Sequence, residues 1–143
     1  MRILVSACLM GVGCRYDGKS NQLPQLEQLM KQHTCIPVCP EIFGGLPTPR
    51  VPAERQSSKI MTQDGQDVTQ QFVRGTAEVL RLADLYHCKA ALLKERSPSC
   101  GHGQVYDGTF SGTLTAGDGV TAALLAAHGI PVYGESRIEE LLK

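Results

Sequence analysis

Short apolar runs alternate with amphipathic stretches along this chain, and the alternation predicts its elements. Residues 3–7 (ILVSA) form a short, mostly apolar run of the type that becomes a buried parallel strand, and it ends at Cys8. A long polar loop, LMGVGCRYDGKSNQ, follows. Residues 23–33 place Leu23, Leu26, Leu29 and Met30 at helical spacing, with Pro24 tolerated in a first turn. Residues 35–38 (CIPV) read as a second strand that delivers Cys39 at its C-terminal end. Residues 59–69 carry Asp64-Gly65 between short runs, a hairpin signal. The clearest helical period covers 70–86, with Thr69 placed to cap it. A third buried strand is expected at 90–93 (AALL), followed by the loop 94–103 (KERSPSCGHG) and a polar, Gly-rich stretch suited to a loose hairpin. An Ala/Leu-rich helix over 120–128 stops at Gly129, a fourth strand covers 130–133, and Ser136 is placed to cap a last helix over 137–142.

The order βαβαβαβα predicts an α/β fold, a parallel Rossmann-like sheet with helices on both faces and right-handed crossovers, formed as one domain over residues 1–143. In such folds the active site lies outside the carboxyl ends of the strands. Cys8, Cys39 and Cys100 each fall at, or just beyond, such an end, so the topology can gather three thiols from distant parts of the chain. Cys35 opens its strand, roughly 13 Å from Cys39 at about 3.3 Å per residue. Cys88 precedes the third strand and belongs to the opposite edge. Both read as ordinary buried cysteines. Cys14 lies close enough on its loop to join the site, or to be loop filler.

A chain of 143 residues with 42% hydrophobic content can bury one sizeable core. Lys plus Arg and Asp plus Glu number 14 each, so no basic excess points to nucleic acid. No apolar run is long enough to span a bilayer, and Met1-Arg2-Ile3 leads into a strand rather than a signal peptide. The expectation is a cytoplasmic protein. In that compartment six cysteines are reduced, metal-bound or catalytic rather than paired.

The stretch CPEIFGGLPTPR, Cys39 to Arg50, sets a thiol and a carboxylate two residues apart, before two glycines and two prolines. It reads as a rigid loop presenting Cys39 and Glu41. Four kinds of chemistry compete for the thiols. GCRYDGKS, Gly13 to Ser20, satisfies the letters of a phosphate loop, but residues 10–12 separate it from the strand and Pro24 delays the helix. Cys8 to Arg15 approximates a thiol phosphatase loop with one residue too many, which redirects the Arg. A zinc ribbon would need CxxC pairs, and the chain has none. Three thiolates without a clear fourth suit an iron–sulfur cluster with one iron left open to act as a Lewis acid. Glu41 and Ser97 stand within a few residues of Cys39 and Cys100, a carboxylate for proton transfer and a hydroxyl for positioning or relay.

SACLMGVGCRYDG (residues 6–18), VCPEIFGGLPTPR (38–50) with VPAE after it, and LKERSPSCG (93–101) together resemble the thiouracil desulfidases. The resemblance covers essentially the whole chain. It implies a [4Fe-4S] cluster held by Cys8, Cys39 and Cys100, a fourth iron open to the thiocarbonyl sulfur of a thiolated pyrimidine, and assistance from Glu41 and Ser97. Cys14 falls outside that triad but is close enough to bear on whether the fourth iron is open. The reaction expected is non-redox release of uracil, with the sulfide acceptor unspecified. Arg15, Tyr16, Asp17, Arg50 and His102 are candidates for the pocket wall. Two other classes remain open: a thiol-based phosphatase or reductase with Cys8 as nucleophile, and a non-catalytic iron–sulfur or metal-binding module.

Overall fold

The computed structural model describes residues 1–143. Its centre is a four-stranded parallel sheet built from β1 (Arg2–Ser6), β2 (Thr34–Val38), β5 (Ala90–Leu93) and β8 (Val132–Gly134), in the order β2-β1-β5-β8. Three helices are packed around it: α1 (Leu26–Gln32), α3 (Thr69–Tyr86) and α4 (Val120–Ala127). Side chains alternate across the sheet as the strand period requires. Ile3, Val5, Ala90 and Leu92 face one core, with Leu29 of α1 and with Ile138 and Leu141. Leu4, Ala91 and Leu93 face the other, with Val79 and Ala83 of α3 and Ala122 and Leu125 of α4. The α/β architecture with both faces covered is therefore the one expected.

The chain leaves β1 toward β2 on one side and reaches β5 on the other, so β1 and β5 flank the point where strand order reverses. That is where open α/β sheets place their ligands. Register keeps the ends level: Ser6 pairs with Val38, and Val5 with Leu92. Ser6 is buried, and its hydroxyl accepts the Lys94 N–H at 2.9 Å, tying the end of β1 to the end of β5.

Two hairpins are inserted into the connections between sheet strands. In the first, β3 (Ala53–Gln56) pairs antiparallel with β4 (Lys59–Thr62) around Ser57-Ser58. The hairpin expected over 59–69 is thus displaced toward the N-terminus. Asp64-Gly65 still makes a tight turn, with Gly65 at φ 87° and its N–H on the Thr62 carbonyl. The polar run Glu54-Arg55-Gln56 lacks the alternation that would mark a strand. The second hairpin pairs β6 (Gln104–Tyr106) with β7 (Leu114–Ala116).

Three local expectations change. Thr69 is the first residue of α3 rather than its cap; Asp67 Oδ1 accepts the Thr69 N–H at 2.9 Å, and Thr69 Oγ1 accepts the N–H of Ile60. The segment Glu135–Leu141 forms 3₁₀ turns instead of an α-helix over 137–142, and Ser136 is bonded to the Glu95 carboxylate through both its N–H and its hydroxyl. Within the expected loop 39–50, a helical turn, α2 (Pro40–Phe43), starts directly after Cys39 because Pro40 has a suitable φ for a first helical position.

Candidate active site at the carboxyl edge of the sheet

Three loops build the site, each held by the strand before it. After β1 the chain makes a 3₁₀ turn over Ala7–Met10 that carries Cys8. Gly11, at φ 90°, reverses the direction, and the Asn21 and Leu23 N–H groups bond back to the carbonyls of Cys8 and Leu9. The loop so folded buries Cys14 beside Cys8. After β2, Cys39 caps α2 and Glu41 stands in its first turn. This turn is pressed on α3 through two glycines: a Cβ at Gly75 would stand 1.7 Å from the Pro40 carbonyl oxygen, and one at Gly44 would stand 1.9 Å from that of Gln71. After β5, Ser97 Oγ accepts the N–H groups of Ser99 and Cys100 at 3.2 and 3.1 Å, closing the SPSC turn. The start of α4 anchors that turn, with the Val120 and Thr121 N–H groups on the carbonyls of Pro98 and Ser99.

These loops enclose a cavity of about 450 Å³ lined by Cys8, Cys14, Cys39 and Cys100 together with Glu41 and Ser97. All six cysteines are unpaired. Cys35 and Cys88 lie outside the cavity as expected, although Cys35 is only half-buried. Cys14 lines the same cavity as Cys8 and Cys39, and its carbonyl accepts the Cys39 thiol at 3.9 Å, which makes it part of the cavity rather than loop filler. Its thiol is pushed up to about 11: the Cys39 hydrogen bond opposes the rise, and the Cys8 hydrogen bond and burial outweigh it. Cys39 is raised by its hydrogen bond to Cys14 and by burial. Burial pushes Cys100 up to about 12, against hydrogen bonds from Ser6 and Ser99. Cys14, Cys39 and Cys100 are thus held as neutral thiols, and bound positive charge would favour their thiolates.

No three His, Cys, Asp or Glu side chains are close enough to share a single metal ion. Zinc, with bonds of about 2.3 Å to sulfur, would need such a cluster. A multi-iron cluster has a different requirement, because each cysteine binds its own iron and the thiols stand further apart. The donor set fits the second case. The other motifs lose their geometry. No helix opens at Lys19, whose N–H is bonded to Asp17 Oδ1, so Gly13 to Ser20 is not a phosphate loop. The N–H groups of Gly11, Val12 and Cys14 are bonded to the carbonyls of Cys8, Ala7 and Val12, which takes them from the anion cradle of a thiol phosphatase.

Glu41 is held from two sides. Its Oε1 faces Arg50 Nε at 3.3 Å in a largely buried ion pair. Its Oε2 accepts the Ser99 hydroxyl at 3.1 Å, and Ser99 Oγ lies 3.0 Å from Ser97 Oγ. Arg50 also donates to the Cys14 carbonyl at 2.9 Å, joining the first two loops. Among the wall candidates, Arg15, Tyr16 and Arg50 line the cavity. Asp17 and His102 do not; Asp17 faces Arg15 at 3.7 Å, and His102 lies 3.3 Å from Asp118. Sequence reasoning missed Ser99, two residues beyond Ser97 in SPSCG. It also missed Lys94, Glu54, Tyr106 and Phe110, the last two brought to the cavity by the second hairpin.

A profile described as 2-thiouracil desulfurase matches residues 3–137. The chain belongs to the 2-thiouracil desulfurase family. A solved structure of a [4Fe-4S]-dependent thiouracil desulfidase, TudS, superposes with a TM-score of 0.93 at 48% identity, covering 98% of this chain and 94% of that one. The chain is also 41% identical to an uncharacterized protein of Bacillus subtilis strain 168, YbbK, over 98% of this chain and 99% of that protein. Family membership covers all three loops, and with them every thiol of the cavity. No helix of this family member is long and apolar enough to cross a membrane.

Proposed function

We propose that this chain is a [4Fe-4S]-dependent, non-redox desulfidase that converts a thiolated pyrimidine such as thiouracil, with water, into uracil and sulfide. The observation that carries this reading is the meeting of Cys8, Cys39 and Cys100 with Glu41 and Ser97 at one cavity of about 450 Å³, in a chain of this family. Cys8, Cys39 and Cys100 would hold the cluster, one from each of the three loops. When bound, the cluster supplies an iron without a protein ligand, a soft Lewis acid suited to sulfur. The same cavity would receive the small, flat base, with Arg15, Tyr16 and Arg50 on its wall. Glu41 accepts a proton at Oε2 as water adds to the thiocarbonyl carbon, and Arg50 keeps that carboxylate aimed by its contact with Oε1. Ser97, on the cavity wall, assists that proton transfer with its hydroxyl.

Cys14 supports a second reading, because it is buried within reach of Cys8 and Cys39. As a fourth ligand it would close the open iron and leave a passive cluster-binding module. The desulfidase reading assigns Cys14 no ligand role. Six unpaired cysteines support a reducing compartment, the cytoplasm, and the whole chain 1–143 acts as one domain with small-molecule partners and no nucleic acid. The test is anaerobic purification and cluster reconstitution, followed by thiouracil. Brown protein releasing uracil and sulfide in equal amounts is expected. Brown protein that leaves thiouracil intact would reduce it to the passive module.

A further inference from the structure

Ser99 is fully buried and off the cavity wall, yet its hydroxyl touches three groups of the site. Ser97 Oγ lies at 3.0 Å, Glu41 Oε2 at 3.1 Å and Cys100 Sγ at 3.6 Å. A serine hydroxyl has one proton and two lone pairs, so these contacts can be assigned a direction. Ser97 Oγ already accepts two backbone N–H groups, at 3.2 and 3.1 Å, so toward Ser99 it is the donor. Ser99 accepts that bond and has its own proton to give. A carboxylate oxygen at 3.1 Å is a far better acceptor than a sulfur at 3.6 Å. The O–H bonds therefore point one way, from Ser97 at the cavity through Ser99 to Glu41.

We propose that Ser99 is a positioning residue that relays the Ser97 proton to Glu41, making two separated groups one acid–base unit. The proposal rests on the roles assigned to Glu41 and Ser97 above. In the step, the Ser97 proton passes to Ser99 Oγ as the Ser99 proton passes to Glu41 Oε2. Two O–H bonds break and two form, and the negative charge moves from Glu41 to Ser97 Oγ. There the N–H groups of Ser99 and Cys100 stabilise it, as paired amides do for an oxyanion. The charged oxygen gains a third lone pair, which takes a proton from water while the water oxygen bonds to the thiocarbonyl carbon and the C=S π pair moves onto sulfur. The fully buried position of Ser99 keeps bulk water from short-circuiting the path.

The experiment uses the full-length, anaerobically reconstituted protein with 2-thiouracil, and compares Ser99→Ala, Ser97→Ala, Glu41→Gln and the Ser97→Ala/Ser99→Ala double variant at matched iron content. Ser99→Ala is expected to lower kcat about 100-fold with KM unchanged, and the double variant to be no slower than Ser97→Ala. The wild-type single-turnover rate in mixed H2O and D2O should depend on deuterium content along a curve, since more than one proton moves. In the cluster-free protein, the Glu41 carboxylate ¹³C resonance should move in Ser99→Ala. Ser99→Ala within about threefold of wild type, an additive loss in the double variant, a linear isotope dependence or an unmoved Glu41 resonance would each overturn the relay. The isotope and resonance readings hold even if Ser99→Ala fails to retain its cluster. Full turnover in Ser97→Ala and Glu41→Gln would instead overturn the roles on which the relay rests.

Discussion

Gly75 stands in the middle of α3, where glycine costs about 1 kcal/mol relative to alanine. The turn that carries Cys39 and Glu41 explains its presence. A Cβ at Gly75 would lie 1.7 Å from the Pro40 carbonyl oxygen, 2.6 Å from its carbon and 3.0 Å from the Gly44 nitrogen, all backbone atoms that cannot rotate away. Since a real Cβ essentially never comes closer than 3.0 Å, Gly75→Ala must push α2 from α3 by about 1.3 Å. A misplacement of about 1 Å can cost about 100-fold in rate. The overpacking costs about 1–3 kcal/mol, partly offset by the better helix former, so the fold should survive with a net loss of at most about 2 kcal/mol. The assay is single-turnover uracil release at matched iron content, alongside thermal unfolding. Gly65→Ala is the control, because Gly65 also has a strained substitution at φ 87° but nothing within 4 Å and no contact with α2. A Gly75→Ala protein with the iron content and rate of wild type would refute the idea that α3 sets the position of Cys39 and Glu41.

Two further outcomes follow from the division of labour at the cavity. Alanine at Cys8, Cys39 or Cys100 should abolish cluster and turnover together, whereas Glu41→Gln and Ser97→Ala should keep the brown colour and slow single-turnover uracil release about 100- to 10,000-fold. Arg50→Met removes the partner of a largely buried carboxylate and the donor to the Cys14 carbonyl; it should cost about 3 kcal/mol by denaturant unfolding, and no loss of stability would mean that water replaces the pair freely.

The sheet and the thiols were legible for the same reason. β5 is an unbroken apolar run and β1 is apolar through Ile3, Leu4 and Val5, a composition suited to strands covered on both faces, and a parallel sheet sends every following loop to one edge. Cys8, Cys39 and Cys100 could therefore be placed together without knowing any side-chain position. The misses concern what contacts across the chain decide. Glu54 and Arg55 carry no strand pattern because β3 lies outside the main sheet and only half-buried. Ser136 looks like a helix cap, yet it answers to Glu95, a partner 41 residues away. Ser99 sits in plain view within SPSCG, but the contact that singles it out is with Glu41, on a turn 58 residues earlier. Asp17 and His102 share loops with site residues and point elsewhere, since loop membership does not set side-chain direction.

Cys14→Ala tests the central claim most directly. The variant is reconstituted anaerobically, its iron counted, and its conversion of thiouracil to uracil and sulfide followed beside Cys39→Ala. Three cysteines holding a cluster with one open iron predict that Cys14→Ala keeps its iron and its turnover while Cys39→Ala loses both. If Cys14→Ala strips the cluster as completely as Cys39→Ala, four thiolates hold it, no iron is open, and the desulfidase chemistry proposed for this cavity is wrong.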